Sequence, residues 1–128
     1  MESLTTEGVE VIVNSIYEAE FSKPLQSEFI FSYNIAIKNN NNFSVKLLSR
    51  KWFVFDSKGD HYEVEGNGVI GLQPVLTPLK THKYESGTSL NSPVGRMRGY
   101  YIMQNKLTEE KFKVYIPEFD LIAPFVLN

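Results

Sequence analysis

Large apolar residues recur at every second position over much of this chain. Val9, Val11 and Val13 form one short stripe. Phe29, Phe31, Tyr33, Ile35 and Ile37 form a longer one, interleaved with Ile30, Ser32, Asn34, Ala36 and Lys38. A period of two puts successive side chains on opposite faces of an extended backbone, so each stripe predicts a strand with one face turned inward. The four asparagines Asn39 to Asn42 then mark a turn, because Asn tolerates positive φ and hydrogen-bonds its own backbone.

A third strand is expected from Val45 to Asp56, carrying Trp52. It ends in Asp56-Ser57-Lys58-Gly59-Asp60, a hairpin-like connector into His61 to Glu65. Its apolar positions do not alternate cleanly: Leu47 and Leu48 are adjacent, and Trp52-Phe53-Val54-Phe55 is continuous. That predicts a bulge or burial on both faces. Further strands are predicted over Thr81 to Ser86, Arg96 to Gln104 and Lys111 to Pro117, each bounded by Gly, Pro or Asn. Strands at roughly ten-residue spacing with turn residues between them indicate an all-β sandwich or barrel. No amphipathic helix of useful length is found, and Thr108 to Lys111 suffices for one helical turn at most.

Composition narrows this without redirecting it. A chain of 128 residues and 14.7 kDa suits one domain, taken here as residues 1–128. Thirteen basic against fifteen acidic side chains leave a formal net charge of -2, so no overall field draws the chain to nucleic acid or an anionic membrane, and neither is expected as a partner. The absence of cysteine excludes disulfides, thiolate metal sites and cysteine nucleophiles. The first eight residues carry no basic and apolar leader pattern, and no run of about 18 apolar residues occurs, so a cytoplasmic location is expected.

Gly66, Gly68 and Gly71 spell GxGxxG within Glu65 to Pro74. The dinucleotide fingerprint of that spacing requires a helix opening at its third glycine. Here Pro74 and Pro78 follow within seven residues, and neither tolerates a helix interior. The loop therefore belongs to another kind of fold.

The chain resembles the ApaG domain family over about Val9 to Pro124. The resemblance rests on Arg50-Lys51-Trp52, the run from Gly66 to Pro74, Tyr84-Glu85-Ser86-Gly87, the run from Gly95 to Met103, and Ile116-Pro117-Glu118-Phe119. One departure is visible: the family places glycine after the proline of the following turn, and this chain has Leu79 after Pro78. Leu is strained at positive φ where Gly is not, so the turn is expected to be strained or altered. The resemblance implies an immunoglobulin-like or fibronectin type III-like β-sandwich of about seven antiparallel strands, in agreement with the period-two pattern. It implies no known enzyme. It also implies an association with cobalt and magnesium efflux and with a diadenosine-tetraphosphate hydrolase gene neighbourhood. Eukaryotic relatives are modules of F-box and polymerase-interacting proteins, a context that favours protein binding.

Three kinds of site follow as expectations, and a catalytic one does not. Glycine amides of Gly66, Gly68 and Gly71 could nest a phosphate-containing anion such as pyrophosphate or a nucleotide, with Arg50, Arg96 and Arg98 converging on it as bidentate donors. The competing reading has the glycines shaping a bulge or crossover and the arginines pairing with Glu63, Glu65 or Glu85. His61, Glu63 and Glu65 share one strand face and form a weak candidate set for a divalent cation, Co²⁺ or Mg²⁺, though alternating polar residues also describe an ordinary wet face. Catalysis has no motif: GxSxG, HExxH and a phosphate-binding lysine loop are all absent. Finally, Phe119, Leu121, Ile122 and Phe125 are candidates for a partner surface, joining two copies of the chain or the chain to another protein, or else they close the end of the sandwich.

Overall fold

The computed structural model describes residues 1–127. They form nine strands: β1 (Glu2–Thr6), β2 (Val9–Tyr17), β3 (Phe29–Asn39), β4 (Val45–Asp56), β5 (His61–Asn67), β6 (Val75–Leu76), β7 (Thr81–Leu90), β8 (Val94–Asn105) and β9 (Lys111–Ile122). Single 3₁₀ turns lie at Pro24–Gln26 and Pro124–Leu127. One sheet has the order β1-β2-β3-β7. The other runs β5-β4-β8-β9, with β6 added to the start of β4, and every pairing is antiparallel. The fold is thus an all-β sandwich of the expected kind, with two strands more than the seven anticipated.

The extra strands are the ones with the weakest apolar signal. β1 has an almost wholly exposed sequence, Glu2-Ser3-Leu4-Thr5-Thr6, and is held by its hairpin to β2. That hairpin turns on Glu7 and Gly8, both at positive φ, the backbone twist that suits a two-residue connection. β6 is only two residues long.

The core lies between the sheets. From the first sheet it takes Val9, Val11, Val13 and the β3 stripe from Phe29 to Ile37. From the second it takes Val45, Leu47, Trp52, Val54, Met97, Tyr101, Met103, Val114, Ile116, Phe119 and Leu121. Two bulges decide which residues of the second sheet reach it. In β4 the pairing with β8 shifts between Leu47 and Ser49. Val45 and Leu47 face inward before the shift, whereas Trp52 and Val54 do so after it, because one extra residue reverses which parity points to which face. In β9 the shift lies opposite Met97 to Gly99, so Ile116 is inward, Pro117 and Glu118 absorb the extra residue, and Phe119 is inward again. A proline at a bulge loses no ladder hydrogen bond, which is why the strand continues past Pro117 instead of stopping there as the sequence suggests.

One flank of the sandwich is closed and the other is a seam. β9 lies against β1 and β2 of the opposite sheet, with Ser15 Oγ donating to the Asp120 carbonyl at 3.0 Å and Tyr115 N donating to Thr6 Oγ1 at 3.2 Å. At the other flank β5 and β7 share no ladder among the described residues. There the Tyr62 hydroxyl reaches Thr88 Oγ1 at 3.0 Å and donates to the Ser89 carbonyl at 3.3 Å.

Buried polar groups fix the turns. Asn39, first of the asparagine run, is fully buried and donates from Nδ2 to the carbonyls of Phe43 (2.8 Å) and Leu76 (2.9 Å). Asp56 accepts from the Asn91 and Lys58 amides and from Ser92 Oγ, tying the β4–β5 and β7–β8 turns together. Burial raises the Asp56 carboxyl pKa, but those hydrogen bonds outweigh it and hold the group below the ordinary carboxylate value. Leu79 stands at φ +68, so the strain expected from its replacement of glycine is present, with its side chain left largely in solvent. Among the described residues no helix is long and apolar enough to cross a membrane.

Candidate functional site

The glycine loop is a tight hairpin. Val69 and Leu72 exchange both backbone hydrogen bonds, at 2.8 and 3.0 Å, around Ile70 and Gly71, whose φ values of +47 and +73 match a type I′ turn. Gly68 has φ +61, and a Cβ there would stand 2.0 Å from the Leu72 carbonyl oxygen. The Gly68 amide donates to the Leu48 carbonyl at the β4 bulge (2.8 Å). The amides of Gly68, Val69 and Leu72 are therefore engaged within the chain.

Of the three arginines expected to converge on this loop, Arg50 does. The β4 bulge turns it to the inward parity, and its Nη1 donates to the carbonyls of Asn67 (3.2 Å) and Gly68 (2.9 Å). It faces loop carbonyls, not loop amides. Its charge also reaches three tyrosines between the sheets: burial raises the pKa of Tyr33, Tyr84 and Tyr101, and Arg50 draws each back. The Tyr84 and Tyr101 hydroxyls are hydrogen-bonded to each other.

Arg96 and Arg98 are placed elsewhere, on the outward face of β8, so the three-arginine cluster does not form. Arg96 pairs with Glu118 at 3.2 Å, and the Arg98 guanidinium lies 4.8 Å from the Phe53 ring centre. The reason is parity: both are even-numbered positions of β8, whose odd positions Met97, Tyr101 and Met103 fill the core.

His61, Glu63 and Glu65 do share the outer face of the edge strand β5, but they are not gathered. Lys51 lies between the two carboxylates, 2.6 Å from Glu65 and 3.6 Å from Glu63. The hydrogen bond to Glu65, with the charges of both glutamates, raises the Lys51 pKa. Among the described residues no three His, Asp or Glu side chains come close enough together to hold a metal ion.

The expected partner surface near the C-terminus is also divided. Phe119 and Leu121 are core residues, 4% and 0% exposed, so their apolar area is already consumed inside the chain. They are not free to meet a partner, and the parity reversal at Pro117 and Glu118 is the cause. Ile122 is half-buried. Phe125 is half-exposed and packs edge-on against Tyr17, with ring centres 6.0 Å apart, and near Phe29 at 6.3 Å.

What the sequence reading missed lies on the outer face of the second sheet. Phe53 of β4, Tyr100 of β8 and Tyr115 of β9 form a row, with ring centres 6.3 and 6.2 Å apart. Cations flank it: Lys51 Nζ is 5.4 Å from the Phe53 ring, Arg98 lies over the same ring, and Lys113 Nζ is 4.4 Å from Tyr100. Phe55 and Tyr115 are about half exposed. Beside the row is a depression of about 540 Å³ lined by Phe53, Phe55, His61, Glu63, Arg96 and Arg98, among others. Only the β4 bulge reveals that Phe53 shares the outward face of Tyr100 and Tyr115.

Fold and site together define a small antiparallel β-sandwich, of the immunoglobulin-like or fibronectin type III-like kind, with an aromatic and cationic outer sheet. The ApaG domain family matches residues 19–105, and the chain belongs to this family. It is 42% identical over 120 residues to Protein ApaG of Vibrio vulnificus (strain YJ016), covering 94% of each chain. It is also 42% identical over 121 residues to Protein ApaG of Methylobacterium radiotolerans, covering 94% of this chain and 92% of that one. The crystal structure of an ApaA protein from Bordetella pertussis superposes with a TM-score of 0.87 at 37% identity, over 91% of this chain and 94% of that one.

Proposed function

We propose that this chain is a non-enzymatic recognition domain that binds a protein partner on the outer face of its five-stranded sheet. The observation that carries the reading is the row Phe53, Tyr100 and Tyr115, left outside the core with Lys51, Arg98 and Lys113 against its rings. Aromatic residues and arginine are enriched where interfaces carry their binding energy. Arg98 and Lys113, flanking cations with no carboxylate partner among the described residues, favour a partner segment that alternates apolar and acidic side chains. The two carboxylates around the adjacent depression are paired with cations, Glu63 with Lys51 and Glu118 with Arg96, an arrangement suited to a charged rim rather than to acid–base chemistry. On this reading the family's link to cobalt and magnesium efflux runs through the partner, not through an ion held by this chain.

Affinity capture from the native cell, comparing the wild-type chain with an Arg98→Glu, Tyr115→Ser variant, tests the proposal. Loss of a saturably bound protein from the variant, at unchanged melting temperature, is expected. An unchanged captured set would rule this face out. If a second copy of the chain is the partner, sedimentation of the pure protein will show a dimer that the variant lacks.

A further inference from the structure

Arg50 stands on the inward-facing side of β4 and is half-buried, with its guanidinium over Gly66 of β5, and no ion pair reaches it among the described residues, whereas Lys51 and Arg96 each have a carboxylate. A half-buried cation without a counter-charge keeps part of its capacity to bind an anion, since hydrogen bonds to carbonyls supply no opposite charge. Both of its hydrogen bonds leave from Nη1. A guanidinium has five N–H donors, so those of Nε and Nη2 have no protein acceptor among the described residues.

Arg50 borders a cavity of about 120 Å³ at the β5–β7 seam, lined also by Tyr33, Ser86 and Thr88 with walls from Trp52 and Val64. Tyr33 is 4% exposed and lies directly across the ladder from Ser86. Gly66 makes the arrangement possible. A Cβ at that position would stand 2.7 Å from Arg50 Nη1 and 2.8 Å from Nη2, so its missing side chain is what lets the guanidinium lie over β5 toward the seam.

We propose that this seam cavity is a binding site for one small oxyanion, a phosphate or a carboxylate, held by Arg50 with the hydroxyls of Tyr33 and Ser86. A planar guanidinium pairs with either oxyanion through two parallel hydrogen bonds. The volume sets the class of ligand. It equals the liquid share of about four waters, at roughly 30 Å³ each, and falls short of the roughly 300 Å³ at which pockets for larger molecules begin. A whole nucleotide therefore does not fit inside it. The glycine-turn amides take no part, since those of Gly68, Val69 and Leu72 are bonded within the chain. The cavity is on the inner side of the sheet whose outer face carries the aromatic row, so this site and the partner surface stand or fall separately.

The test is an NMR titration of the ¹⁵N-labelled protein with sodium phosphate and, separately, sodium acetate, each against sodium chloride at equal ionic strength. Saturable shifts at the Arg50 Nε–H and the Ser86 and Thr88 amides are expected with at least one of the two oxyanions and not with chloride. The oxyanion that saturates identifies the class. Ser86→Val fills the cavity and leaves Arg50 in place; it should weaken the response at least about tenfold, the equivalent of one charge-assisted or neutral hydrogen bond lost. Arg50→Gln should abolish it. Because Arg50 also ties down the glycine loop, Ser86→Val decides the matter if Arg50→Gln does not fold. Absence of saturation with both oxyanions, shifts matched by chloride, or an unchanged response in Ser86→Val would each overturn the proposal.

Discussion

The two faces of the five-stranded sheet use the same side chains to opposite ends. Inside, Tyr33 of the facing sheet meets Trp52 and Phe119 in a triangle of ring centres 5.3, 5.8 and 5.9 Å apart, and all three are at most 4% exposed. Outside, Phe53, Tyr100 and Tyr115 form a row at similar spacing, with Tyr115 still 47% exposed and cations against the rings. Burial makes the first cluster a source of stability, since rings of this size each withdraw a large apolar area from water. The second cluster keeps part of its area in solvent, Phe53 and Tyr100 being half-buried and Tyr115 exposed, and cation–π contacts at exposed sites are worth only about 0.5–1 kcal/mol each. An arrangement that stabilises so little is available for binding.

That contrast sets the order of expected effects. Trp52→Ala should destabilise by about 3–5 kcal/mol, read from the denaturant midpoint, because it removes a ring from a packed interior. A loss under about 1 kcal/mol would mean that the inner triangle is not a packed unit. Asp56→Asn should cost about 1–3 kcal/mol at neutral pH through weakened buried hydrogen bonds, and its effect should depend on pH. The folded-state pKa lies below the ordinary carboxylate value, so the carboxylate's contribution is present above about pH 4 and lost as pH falls through the depressed folded value. The gap between wild type and variant should therefore narrow on acidification, and a gap constant with pH would contradict this. Tyr101→Phe should cost about 1 kcal/mol by leaving the Tyr84 hydroxyl without its partner. An unchanged melting temperature would show the pair to be energetically idle. Smallest of all, Tyr115→Ser on the outer face should move stability by no more than about 0.5 kcal/mol.

How much of this was legible in the sequence depends on one geometric fact. Alternation revealed β2 and β3 and the all-β class, since those strands keep a single parity from end to end. The prolines correctly removed the glycine loop from the dinucleotide class. The adjacent Leu47 and Leu48 announced the β4 bulge, but not its consequence. Carried through from Val45 and Leu47, unbroken alternation would put Lys51 inside and Arg50 outside; the bulge does the reverse. The bulge in β9 likewise sends Phe119 and Leu121 inward. Arg96 and Arg98 were rightly read as sharing a face, but which face was a question of sheet pairing, a long-range property. β1 was invisible because its residues are polar and exposed, and its Glu7-Gly8 turn departs from the usual Asn-Gly or Asp-Gly pattern.

The difference between the two faces is tested most directly by one paired measurement on a Phe53→Ser, Arg98→Ser, Tyr115→Ser variant: its thermal midpoint and its retention of the protein captured by the wild-type chain. Each lost kcal/mol lowers the midpoint by roughly 4 °C in a domain of this size. Three outward residues should together lower it by no more than about 8 °C, with capture abolished. A fall as large as that of Trp52→Ala would show the outer row to be part of the structural core, and capture that survives the triple substitution would show that recognition lies elsewhere on the molecule.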